Sequence, residues 1–210
     1  MEGPTSHFYF SQRLRLHYVD WGNEDAPPLL LVHGGRDHCR NWDWVAEELR
    51  HDWHIIAPDL RGHGDSQWVS DGNYELIDYV YDLAQLIDQL GLAPATIVGH
   101  SLGGAIAVNL AATPAAQDAA GLVVESSFTS VREMQQYSAY KWIPLAVVQT
   151  QFFDSLAKAP KLCMPMLVMH GSNDYRIPVE VAQKLYTAAP EPKRWLLVEG
   201  ARHIDIPIRY

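Results

Sequence analysis

Short apolar runs alternate along this chain with longer stretches whose apolar positions recur at helical spacing. His7 to Phe10 and Leu14 to Trp21 read as strands, the second setting Leu14, Leu16 and Tyr18 against Arg15, His17 and Val19. Asn23 to Pro28 is a turn. Leu29-Leu30-Leu31-Val32 is apolar throughout, the pattern of a parallel strand covered on both faces, and it ends in His33-Gly34-Gly35. Trp42 to Leu49 suits a helix. His54 to Asp59 suits a strand closed by the turn-rich Leu60-Arg61-Gly62-His63-Gly64-Asp65-Ser66. Tyr74 to Leu90 predicts a long helix with Leu76, Val80, Leu83, Ile87 and Leu90 along one stripe, ended by Gly91. The β-run Ala95-Thr96-Ile97-Val98 breaks at Ser101 into a small-residue helix, Ala105 to Ala112, stopped near Pro114. Gly121 to Glu125, Pro165 to Gly171 and Arg194 to Gly200 read as strands, and Val179 to Ala188 as a helix.

Strands that alternate with helices imply an α/β fold: a mostly parallel sheet with right-handed crossovers and helices on both faces. The length suits a single domain spanning residues 1–210. Ligands of such sheets bind beyond the C-terminal strand ends, where His33-Gly34-Gly35, Ser101 and Asp174 all fall.

Composition narrows the partners. A net charge of −9 argues against nucleic acid or an anionic membrane surface. No apolar run is long enough for a membrane span, and the first residues lack a signal-peptide pattern. The two cysteines, Cys39 and Cys163, need not pair, which suits a cytoplasmic location. His and Cys are scattered without ligand spacing, so no metal site and no cofactor are expected.

The chemistry centres on Gly99-His100-Ser101-Leu102-Gly103. In this Gly-x-Ser-x-Gly turn a strand breaks sharply into a helix and lifts the serine hydroxyl above the sheet. The pentapeptide alone is weak evidence; its place between a β-branched run and a helix gives it weight. A serine hydroxyl needs a base, and the base needs an orienting carboxylate. Both follow the nucleophile in chain order in this arrangement. Two histidines follow Ser101. His170 lies inside an apolar strand and suits a packed imidazole, whereas His203, in a loop after the last strand, suits the base. Asp174, directly after a strand, is favoured as the acid over Glu125.

His33-Gly34-Gly35, Arg61-Gly62-His63-Gly64-Asp65-Ser66, Gly99-His100-Ser101-Leu102-Gly103-Gly104, Gly171-Ser172-Asn173-Asp174 and Gly200-Ala201-Arg202-His203 together resemble the α/β-hydrolase fold superfamily over nearly the whole chain. The resemblance implies an eight-stranded sheet with its second strand antiparallel. It also implies an oxyanion hole made by the amides of Leu102 and Gly35, with Arg36 the alternative to Gly35. Relatives that open epoxides or remove halides carry Asp where this chain has Ser101. Residues 8–126 resemble cap-bearing members, and the stretch from Glu125 onward resembles cap-less serine hydrolases, as a chimera would. The cap is therefore expected to be minimal or absent, with residues 127–160 in its place. Tyr140 to Val148 is read as a core-facing helix and loop or as a small apolar lid, and Cys39, Trp42, Trp44 and Trp68 as candidates for lining the mouth.

These readings converge on a serine esterase cleaving small carboxylic esters through an acyl-enzyme on Ser101. The alternatives are a thioesterase, perhydrolase or carbon–carbon bond hydrolase on the same residues, or an inactive scaffold that keeps the pocket. The short tail after His203, interrupted by Pro207, reads as a truncated C-terminal helix. It leaves Trp195 to Val198 to be covered by a second copy in a homodimer, or by Ile204, Ile206 and Ile208 folding back.

Overall fold

The computed structural model describes residues 3–137, 142 and 153–206. The strands are β1 (Thr5–Ser11), β2 (Leu14–Asp20), β3 (Pro28–Val32), β4 (His54–Pro58), β5 (Thr96–His100), β6 (Gly121–Glu125), β7 (Met166–Gly171) and β8 (Lys193–Val198). They form one eight-stranded sheet in the order β1-β2-β4-β3-β5-β6-β7-β8. β2 runs antiparallel to both of its neighbours, and the pairings from β4 to β8 are parallel. The expected α/β architecture, with its second strand reversed, is the observed one.

The helices are α1 (Asp43–Leu49), α2 (Leu76–Leu90), α3 (Leu102–Ala111), α4 (Val131–Gln136), α5 (Ser155–Lys158) and α6 (Val179–Ala188). α2 begins at Leu76, the first residue of its apolar stripe and two residues after the expected start at Tyr74. Glu75 caps it, and the Asp78 side chain bonds back to the Glu75 amide in a capping box. Gly91, in the left-handed region at φ 62°, ends it as expected. Apart from Asn109, whose side chain bonds the Ala105 carbonyl, α3 is apolar on all sides, which suits a helix buried from Gly103 to Ala111.

Alternation along the central strands divides the interior between the two faces of the sheet. Leu30 and Val32 of β3 enter the larger core with Leu83, Ile97 and Ile106, while Leu29 and Leu31 pack on the other face with Trp42 and Ala46. The larger core also holds Leu162, Met166 and Leu185, so side chains from before and after residue 126 share one interior.

In the region expected to replace a cap, α4 and α5 are described. Tyr140 to Val148 lies outside the described residues except for Trp142, whose side chain is exposed. Near the end of the sheet, Ile206 is fully buried and packs with Val198, Ala201, Met169 and Leu196. Trp195 lies against His170 and Tyr186. Part of the β8 face expected to be bare is thus covered by this chain itself; Ile204 is instead exposed at the rim of the cavities near Ser101, and Ile208 lies outside the described residues.

Candidate active site

At the end of β5 the backbone turns so tightly that Ser101 adopts φ 52° and ψ −114°. A non-glycine residue held there costs on the order of 1–3 kcal/mol, so the surroundings must enforce it. Close approach on both sides explains the flanking glycines. A Cβ at Gly99 would lie 2.4 Å from the Gly103 carbonyl oxygen, and one at Gly103 would lie 2.3 Å from that of Val32. The strand next door holds the turn itself. Ser101 N–H donates to the Glu125 carbonyl at 2.9 Å, and Ser127 Oγ–H donates to the Ser101 carbonyl at 2.8 Å. The role of Ser127 was not legible in the sequence; its only signal there is its place just after a strand end.

The three residues expected to act together form one hydrogen-bonded chain. Asp174 Oδ2 accepts from His203 Nδ1 at 2.7 Å, and His203 Nε2 lies 3.1 Å from Ser101 Oγ. A carboxylate can only accept, so the proton sits on Nδ1 and leaves Nε2 free to accept the serine proton. Burial pulls the Asp174 pKa up. The hydrogen bonds from His203 and from the Ile177 and Arg176 amides outweigh it and hold the carboxyl below its ordinary range.

Glu125, the other acid considered, is buried and faces a different imidazole: its Oε1 is 3.4 Å from His100 Nδ1. His100 in turn lies with its ring centre 5.0 Å from that of His203. His170 is fully buried and donates Nε2–H to the Ile177 carbonyl at 2.9 Å, and that nitrogen also lies 3.6 Å from Asp174 Oδ2. It is therefore a packed imidazole, as expected, but packed against Asp174.

Leu102 opens α3, so its N–H has no intrahelical acceptor and points from a helix N-terminus. Gly35 sits across from it, with its Cβ position 3.4 Å from Leu102 Cδ2. Ser101, His203 and Gly35 border a polar cavity of about 400 Å³, whose wall also includes Arg36, Asp37 and Arg176. A smaller recess of about 60 Å³ lies beside it, lined in part by Trp42, His100 and Glu125. Of the side chains expected at the mouth, only Trp42 lines either cavity. Trp44 and Trp68 are exposed away from them, and Cys39 is buried.

Cys39 belongs to a cluster that spacing did not reveal. His17, Cys39 and Asp59, far apart in sequence, bring ligand-type atoms within 4.8 Å of one another. Asp59 accepts from His17 Nδ1 at 2.7 Å and from the Cys39 and Asp65 amides at 2.7 and 2.9 Å. Burial raises its pKa, but these bonds outweigh burial and hold it below its ordinary value, while burial pushes the Cys39 thiol up. The cluster thus ties β2 to the loops after β3 and β4.

The chain belongs to the alpha/beta hydrolase fold family, whose model matches residues 27–143. It is 34% identical over 95 residues to human Epoxide hydrolase 4, covering 45% of this chain and 26% of that protein. It is 38% identical over 110 residues to Lipase LipV of Mycobacterium tuberculosis (strain ATCC 25618 / H37Rv), covering 52% of this chain and 41% of the lipase. Among solved structures it is similar to the esterase RhEst1 from Rhodococcus sp. ECU1013, with a TM-score of 0.81 at 20% identity. That match covers 99% of this chain and 95% of the esterase, and shows the shared fold. The chain spans only about 25% to 42% of the length of the curated relatives it matches. No helix among the described residues is long and apolar enough to cross a membrane.

Proposed function

We propose that this chain is a serine hydrolase that cleaves small carboxylic esters. The observation that carries the reading is the unbroken hydrogen-bond chain from Asp174 through His203 to Ser101. In this reading His203 takes the Ser101 proton as Oγ attacks the ester carbonyl, and Asp174 stabilises the imidazolium that forms. The amides of Leu102 and Gly35 hold the developing oxyanion. Collapse of the tetrahedral intermediate breaks the bond to the leaving alcohol, which takes the proton from His203. Water, deprotonated by the same imidazole, then releases the acid and restores Ser101. No cofactor enters this sequence.

A serine nucleophile favours acyl transfer over the epoxide chemistry named in one relative, because the ester oxygen of an acylated serine leaves readily when water attacks the carbonyl. The test is labelling by a fluorophosphonate probe together with turnover of short 4-nitrophenyl esters. Labelling lost on Ser101→Ala, with ester turnover in the parent chain, is the expected result. An unlabelled Ser101 and no ester turnover would leave a binding scaffold as the better reading.

A further inference from the structure

The polar cavity beside Ser101 has an unusual charge for this molecule. The chain carries a net charge of −9, yet two arginines, Arg36 and Arg176, line this cavity. Arg40, Arg61 and Arg202 are paired with aspartates, whereas neither the Arg36 nor the Arg176 guanidinium has an ion-pair partner among the described residues. Asp37 is the carboxylate in the same wall. Its oxygens are engaged locally, by the His38 amide at 2.8 Å and by Asn41 Nδ2 at 2.5 Å.

Both arginines also leave the backbone at places tied to the reacting groups. The Arg176 amide donates to Asp174 Oδ1 at 2.8 Å, the carboxylate whose other oxygen holds His203. Arg36 follows Gly35 and is held in the left-handed region at φ 63°. Two guanidiniums without an ion-pair partner among the described residues, on exposed residues of the wall around Ser101, place positive charge in a cleft of a negatively charged protein. They also offer paired N–H donors matched to a carboxylate.

We infer that the preferred substrates are esters carrying a second, ionised carboxylate, which Arg176 and Arg36 bind while Ser101 attacks the ester carbonyl. The inference rests on the ester-hydrolase reading above for its chemistry, but its binding half can be measured without turnover. The probes are monomethyl adipate, which is anionic, and dimethyl adipate, its neutral counterpart with the same chain and leaving group.

In the full chain carrying Ser101→Ala, calorimetry is expected to show monomethyl adipate binding about tenfold or more tightly than dimethyl adipate. Adding Arg176→Gln should bring that ratio close to one, and Arg176→Lys should restore part of it. The preference should also shrink as salt rises. In the parent chain the kcat/KM ratio for the two esters should follow the same order. Equal binding of the two probes, binding of neither, or a ratio unmoved by Arg176→Gln would overturn the inference. Arg176-dependent binding with no cleavage of either ester would leave the anion site standing and refute only the hydrolase reading.

Discussion

Ser127 Oγ donates a 2.8 Å hydrogen bond to the backbone carbonyl of Ser101, across from the 2.9 Å bond that the Ser101 amide makes to the Glu125 carbonyl. The end of β6 thus grips both backbone groups of the residue with the strained φ. The same carbonyl also receives the Gly104 and Ala105 amides at 3.1 and 3.2 Å, so it keeps partners if the hydroxyl is removed.

Ser127→Ala is therefore expected to cost about 1 kcal/mol of stability, and to lower kcat roughly fivefold as the turn relaxes. KM should change little, because the hydroxyl serves the position of Ser101 rather than substrate contact. Thermal melts and initial rates on one short ester check it; unchanged kcat would show that the turn holds its geometry without this bond.

Ser101→Ala and His203→Ala should each remove nearly all esterase activity, on the order of 10³-fold or more. Asp174→Asn should lose much of it, because the amide can no longer fix the imidazole with its proton on Nδ1. Glu125→Gln should be far milder, since Glu125 faces His100 rather than His203. If Asp174→Asn keeps near-parent rates while Glu125→Gln collapses, the acid has been misassigned.

The apolar runs made the central strands legible because parallel strands are covered on both faces, whereas their order in the sheet came only with the structure. The elbow was legible because its glycines answer to sterics that any strand-to-helix turn of this kind meets. The choice between Asp174 and Glu125 was not settled by sequence. Glu125 ends β6 and Asp174 follows β7 by three residues, and only the path of the loop carrying His203 places one carboxylate 2.7 Å from its ring. His17 was set on the polar side of its strand, yet it is buried: β2 lies between β1 and β4, and Asp59 gives its ring a partner that no local pattern announces. Ser127 escaped for the same reason. Its contact spans 26 residues and depends on how closely β6 lies against β5.

Acyl chain length gives a separate test. The cavity that Ser101 borders is polar, and the recess next to it is only about 60 Å³. Turnover of 4-nitrophenyl esters should fall from butyrate or hexanoate towards palmitate, because among the described residues a long chain finds little apolar surface beside Ser101 on which to be buried. A clear preference for palmitate would refute this reading of the pocket.

His33, which begins the Gly34-Gly35 loop, should make the fold sensitive to acid. Its ring is 1% exposed and both nitrogens are committed. Nδ1–H donates to the Gly34 carbonyl at 2.7 Å, and Nε2 accepts from the Leu60 amide at 2.9 Å. A second proton would have to land on Nε2, break the bond from Leu60 and leave a buried charge facing an N–H. Burial accordingly lowers the His33 pKa from 6.5 to about 4. Between those values the unfolded chain binds a proton that the folded chain refuses, so stability falls as pH drops from 6.5 towards 4 and levels off below. Buried His170, whose pKa burial also lowers, acts in the same direction. Urea unfolding of the parent chain at pH 7 and at pH 4.5 should show the loss. His33→Gln, less stable at pH 7, should show a visibly flatter pH dependence. The same slope in parent and variant would mean that His33 does not carry the effect.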